Sequence, residues 1–123
     1  MTEDAANSLF QKWVSILKLS DWDIRFKWRC DPKRMAIPDS AGCTSYNDVC
    51  RQAVIEIADF NQYQPDMEGF EPDYEQVLVH ELMHLKMSIL DTGESEIQNK
   101  AVHILVDSLA QALVKANRGG IQC

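Results

Sequence analysis

The chain has 123 residues, a length that suits one domain over 1–123 with a hydrophobic core of its own, and 46 % of it is hydrophobic. Its 19 acidic residues outweigh 12 basic ones, giving a net charge of −7 and a pI near 4.8; that balance argues against a nucleic-acid partner, which calls for a basic surplus. No apolar run approaches the ~18 residues of a membrane helix, and the polar start Met1–Ser8, with Glu3 and Asp4, does not read as a signal peptide, so a cytoplasmic protein without membrane contact is expected.

In chain order, Leu9, Phe10, Trp13, Ile16 and Leu17 recur at helical spacing, and predict an amphipathic helix from about Ala5 to Leu19, ended by Ser20-Asp21. Trp22, Ile24, Phe26, Trp28 and Cys30 then alternate with Asp23, Arg25, Lys27 and Arg29, which is the pattern of a half-buried strand. The Arg25-Lys27-Arg29 row reads as that strand's solvated face. Asp31 to Gly42, with two prolines and a glycine, reads as loop.

Cys43–Tyr46 is a short strand candidate, Asn47-Asp48 a turn, and Val49–Phe60 a second long strand around the β-branched run Ala53-Val54-Ile55-Glu56-Ile57. About three strands, mostly antiparallel, are expected. Asn61–Pro72 is a polar, acidic loop. Asp73, with Gln76 three residues later, has the form of a capping box and opens a helix to about Leu90. Asp91-Thr92-Gly93 breaks it, and a last helix runs from about Glu94 to Ala116, closed by Gly119-Gly120. The class is α+β.

Four cysteines are present, Cys30, Cys43, Cys50 and Cys123, with no Cys-x-x-Cys pair. They read as incidental or buried thiols. A second metal site from Cys30, Cys43 and Cys50 is the weaker alternative.

The helix that follows Asp73 contains His80-Glu81-Leu82-Met83-His84. Residues i and i+4 lie about 40° apart around a helix, so both imidazoles leave the same face and can share one Zn²⁺ ion. Glu81, next on the wheel, can reach a water at such a metal without being a ligand, as hydrolytic zinc chemistry requires. Leu78, Leu82, Leu85 and Ile89 form a separate apolar stripe, which puts the histidines at the edge of the buried face.

A catalytic zinc takes a third protein ligand. His103, the one remaining histidine, lies on the last helix. If 91–93 is a tight turn, the two helices run antiparallel and residue 82 mirrors residue 102, so His103 stands at the height of the His pair. Glu94 and Glu96 are the rivals, nearer to Leu90 than to His80. The apolar side of the last helix centres near Val102, Leu105, Leu109 and Leu113, with His103 off that centre.

With His80, Glu81 and His84 matching the motif residue for residue, the chain resembles the zincin metallopeptidases, and in particular the small gluzincin-like members found in bacteria and phages. The likeness covers the motif helix and the last helix, Asp73 to about Leu113, and loosely the sheet before them. It implies a minimal zincin-like fold, a zinc cofactor, a water nucleophile, a peptide or protein substrate, and an edge strand that holds the substrate extended beside the motif helix; Val49–Phe60 or Cys43–Tyr46 could supply that strand. In many gluzincins the third ligand is a glutamate on the following helix, so His103 would occupy the glutamate's place.

The expected reaction is peptide-bond hydrolysis, with Glu81 as general base and then acid. Tyr46, Tyr63 and Tyr74 are the tyrosines that could meet a developing oxyanion, and the sequence selects none of them. The alternative is a zinc-bearing structural or interaction module with little activity, set apart by a closed fourth coordination position. A DNA-associated protease is a third reading, by fold analogy only, and the acidic charge counts against it.

Overall fold

A computed structural model describes residues 2–63, 72–88 and 96–119, of which 96–99 by backbone alone. Ile89, Leu90, the 91–93 break, Glu94, Gly120, Cys123 and most of the acidic loop after Tyr63 lie outside the described residues. The order is α1 (Glu3–Ile16), β1 (Asp23–Cys30), a 3-10 turn (Pro32–Arg34), β2 (Gly42–Asn47), β3 (Gln52–Ala58), α2 (Tyr74–Lys86) and α3 (Glu96–Gly119). The class is α+β, as the sequence indicates. No helix among the described residues is long and apolar enough to cross a membrane.

Helix α1 starts where Thr2 accepts the Ala5 N–H at 3.1 Å, with Glu3 and Asp4 in the first turn. It ends three residues before the expected Leu19. The Leu19 N–H turns back to the Val14 carbonyl at 2.9 Å and the Lys18 N–H to that of Ser15 at 3.1 Å, a Schellman closure with Lys18 in the left-handed region at φ 55°. Ala6, Phe10 and Trp13 face the core, and Phe10 stacks on Phe26 of β1 at 4.7 Å.

The sheet order is β1-β3-β2. The β2/β3 pair is antiparallel and the β1/β3 pair parallel, so the expected mostly antiparallel sheet is mixed. The reason is the apolar content of β3. Ala53, Ile55 and Ile57 are at most 5 % exposed, and a strand so buried takes the centre instead of an edge, which inserts it beside β1 in the same direction. Strand β3 begins later than the expected Val49. Asn47 Oδ1 accepts the N–H groups of Val49 and Cys50, a local turn that leaves Val49 in solvent and starts β3 at Gln52.

A second departure lies at the end of β1. Lys27 pairs with Glu56 but Cys30 with Ala58, so β1 carries one extra residue, with Arg29 at φ 58°. The bulge turns Cys30 off the face it was expected to share with Ile24 and Phe26. It packs instead with Met35, Cys43 and Ala58, a small cluster beneath the loop that follows β1.

Helix α2 is the centre of the packing, touching α1, β2, β3 and α3. Asp73 caps it by accepting the Gln76 N–H at 3.2 Å, as expected. Leu78, Leu82 and Leu85 are buried as the stripe requires, and Val79 and Met83 join them because α3 covers a further side. Among the described side chains of α3, Val106, Ala110 and Val114 are buried, with Val102, Leu109 and Leu113 partly buried. Leu105 is instead 42 % exposed. The apolar face is therefore rotated from the expected centre. Small residues at 106, 110 and 114 meet α2, and His103 moves towards the interface.

Arg118, at the far end of α3, closes the helix pair. Its guanidinium donates to both Asp73 oxygens at 2.7 and 2.9 Å and to Glu75 Oε1 at 2.9 Å. Glu75 is 7 % exposed, and its other oxygen accepts the Trp13 indole N–H at 2.8 Å. One buried carboxylate thus joins α1, α2 and α3, and its burial is offset by fixed donors.

Candidate metal centre

The antiparallel α2–α3 pair brings His80 and His84 of α2 against His103 of α3. Ring centroids are 5.1 Å apart for 80–84, 5.9 Å for 80–103 and 4.7 Å for 84–103. One ring nitrogen from each can be chosen so that no two are more than 4.8 Å apart. Two nitrogens on a tetrahedral zinc at ~2.1 Å stand about 3.4 Å apart, so the rings need close by no more than about 1.4 Å. His80 and His84 are half-buried and His103 exposed, which puts the set at the mouth of the helix interface. Three imidazoles are a donor set that zinc accepts.

Glu96 begins α3, but its side chain, like all of Glu94, lies outside the described residues. Among the described residues the His80–His84–His103 group is the one set of three or more His, Cys, Asp or Glu that could hold an ion. Cys30, Cys43 and Cys50 do not form a second one. Cys30 and Cys43 pack at one end of the sheet, while Cys50 is exposed on the hairpin at the other.

His80 Nδ1 lies 3.2 Å from Asp107 Oδ1. The carboxylate fixes the ring plane and leaves Nε2 as the nitrogen to face a metal. Asp107 is itself held by Gln111, whose Nε2 donates to Oδ2 at 2.7 Å. Nothing singled out Asp107 in the sequence. The signal was there: it stands one turn beyond His103, on the same side of the helix.

Glu81 is 6 % exposed. Thr44 Oγ1, on β2, donates to Glu81 Oε1 at 2.6 Å and lies 3.1 Å from the Glu81 carbonyl. Burial pushes the Glu81 carboxyl above its ordinary range, while the Thr44 hydrogen bond and the nearby His80 pull the other way. An open groove of about 270 Å³ passes the site, lined by Ala41, Gly42, Gln76, Val77, His80, Glu81 and Asp107. Neither Thr44 nor Gly42 carried a sequence signal, because both act through a close approach of β2 to α2 that only the fold creates.

The tyrosines stand elsewhere. Tyr74 stacks on Phe60 at 4.0 Å and its hydroxyl accepts the Phe60 N–H; Tyr63 packs near Phe60, and Tyr46 meets Trp22 edge-on. None of them lines the groove. In comparisons with known proteins, no family model, no curated protein and no solved structure matches the chain.

Proposed function

We propose that the chain is a cytoplasmic zinc metallopeptidase of the minimal zincin type, with His80, His84 and His103 as metal ligands and Glu81 as catalytic base. The observation that carries this reading is the convergence of three imidazoles at the edge of an open groove that His80 and the buried Glu81 line. A set of three protein donors with a fourth position left to water is the arrangement of a catalytic zinc site.

Zinc bound there would supply a Lewis acid that polarises a carbonyl and acidifies water. The protein supplies the rest. Asp107 orients the His80 ring. Glu81, as a carboxylate whose proton affinity is raised by burial, would take a proton from the attacking water and return it to the leaving amine. A peptide substrate also needs a place to lie extended. Of the two candidate strands, β3 is central and β2 is an edge strand. Ala41 and Gly42, where β2 begins, line the groove at Glu81, so β2, whose outer edge pairs with no strand among the described residues, is the one that suits a substrate chain.

The test is metal analysis of purified protein together with single variants. About one zinc per chain is expected, with none in His80→Ala or His84→Ala. Glu81→Gln should keep the zinc and lose hydrolysis of fluorescently labelled casein. A chain that takes up no zinc after dialysis against the ion would end the proposal; a zinc-bearing chain with a protein atom in the fourth position would be a structural module instead.

A further inference from the structure

We infer that strand β2 aims the general base, with Thr44 as a positioning residue that grips one oxygen of Glu81 while Gly42 leaves the other open to the groove. The inference rests on the metallopeptidase reading above and concerns how its base is held.

A carboxylate that accepts a proton during turnover needs one lone pair directed at the reacting water, and a side chain with three rotatable bonds does not hold that direction alone. In this chain the restraint comes from another element. Thr44 Oγ1 lies 2.6 Å from Glu81 Oε1, within the ~2.5–2.7 Å range of a charge-assisted hydroxyl–carboxylate hydrogen bond, and the two residues are 37 positions apart in the sequence. Thr44 is itself fixed in the β2/β3 ladder, opposite Ile55, so the donor sits on a rigid strand.

The second oxygen is governed by Gly42, two residues earlier on the same face of β2. A Cβ built there would stand 3.1 Å from Glu81 Oε2, 3.0 Å from Glu81 Cγ and 2.9 Å from Val77 Cγ1. Any side chain at 42 would crowd Oε2 and force the Val77 and Glu81 side chains to shift. Hydrogen at that position lets β2 lie against the helix closely enough for the Thr44 bond and keeps Oε2 at the groove, which Gly42 and Glu81 both line. The two residues thus divide the carboxylate, one oxygen held and one left to work.

The experiment compares zinc-loaded wild type, Thr44→Val and Thr44→Ser on labelled casein, with zinc content measured for each. Val keeps the shape and removes the hydroxyl; Ser restores it. Thr44→Val is expected to keep its zinc and its KM while kcat falls about 10- to 100-fold, the usual cost of losing an outer-shell partner. Thr44→Ser should recover most of the loss. Full kcat in Thr44→Val, or a Ser variant as slow as the Val one, overturns the inference.

A metal-free measurement separates this from the functional reading. Thr44→Val should lower the Tm when Glu81 is present and lower it less in the Glu81→Met background. Equal falls in both backgrounds would show that Thr44 does not hold the carboxylate. If wild type neither binds zinc nor hydrolyses casein, the metallopeptidase proposal fails and the role of Thr44 in catalysis fails with it, whereas the Tm comparison still decides whether the two side chains are coupled.

Discussion

Asp107 reaches across the helix interface to His80 at 3.2 Å, one turn past His103 on its own helix. The same face of α3 therefore offers one imidazole to the centre and one carboxylate to the ring opposite. Asp107→Ala should weaken zinc binding about 10- to 100-fold while the fold is kept, and Asp107→Asn should do so less, because the amide oxygen can still accept from Nδ1. Competition with a chromophoric chelator measures both. Unchanged affinity in Asp107→Ala would show that the ring needs no such support.

Zinc held by His80, His84 and His103, as proposed, would join α2 to α3, so it should stabilise the folded chain. At a free zinc concentration 100 times its Kd the gain is about 2.7 kcal/mol. Thermal melts with zinc and with a chelator should show the metal-dependent rise in wild type and its loss in His103→Ala. A His103→Ala protein that still melts higher with zinc would pass the third place to another group.

Glu81 is buried, and its carboxyl is pushed up by that burial. A group whose folded pKa is raised in this way costs nothing at acid pH, where it is protonated in both states. The cost appears as pH rises through the ordinary carboxylate range and is complete above the folded pKa. Metal-free Glu81→Gln should therefore be more stable than wild type at neutral pH, by on the order of 1–3 kcal/mol, with the gap closing towards pH 3. Denaturant melts at several pH values test the sign; a gap that widens in acid would contradict it.

Arg118 has the opposite effect on Asp73. The guanidinium hydrogen bond, together with the Gln76 N–H, holds the Asp73 carboxyl below its ordinary range. That contribution is present above the unfolded carboxylate's pKa and is lost as pH falls through the lower folded one. Arg118→Gln should cost about 1–2 kcal/mol at neutral pH, since half-exposed pairs are screened by solvent but Glu75 is buried. The difference from wild type should shrink below about pH 3 in thermal melts.

Lys18 closes α1 in a conformation that suits glycine. Lys18→Gly should raise stability by up to about 1 kcal/mol, the strain relieved less the entropy of the added freedom. A lower Tm would mean that the Lys18 side chain contributes contacts which outweigh the backbone strain.

Most of the fold was legible because it rests on periodicity. The α1 and α2 faces, the alternation in β1 and the Asp73 cap are local patterns, and the structure follows them. His80 and His84 sit together by helical spacing alone, and His103 joins them because two antiparallel helices set opposite residues at equal heights. The misread details share a cause. Lys18, Arg29 and Arg51 all adopt positive φ where a glycine would have announced the turn. Without that sign the sequence carries α1 too far, makes the turn after Asn47 too short and starts β3 at Val49 instead of Gln52, and keeps Cys30 on the face of Ile24 and Phe26. The rotation of α3 was hidden for another reason. Burial there selects small residues that let helices approach, so Val106, Ala110 and Val114 displace the larger Leu105. Thr44, Gly42 and Asp107 depend on long-range contacts, which no local pattern encodes.

The clamp at Arg118 makes α3 a lever. Residue 118 is about 22 Å along the helix from residue 103, at ~1.5 Å per residue. Its guanidinium fastens that distant end to Asp73 and Glu75 at the start of α2, and through Glu75 to Trp13 of α1, so the pitch of α3, and with it the third imidazole, is set from the far end of the helix pair. If the three imidazoles hold an ion as proposed, its affinity should respond to changes at position 118 that touch no ligand, and a remote residue would become a dial on that grip.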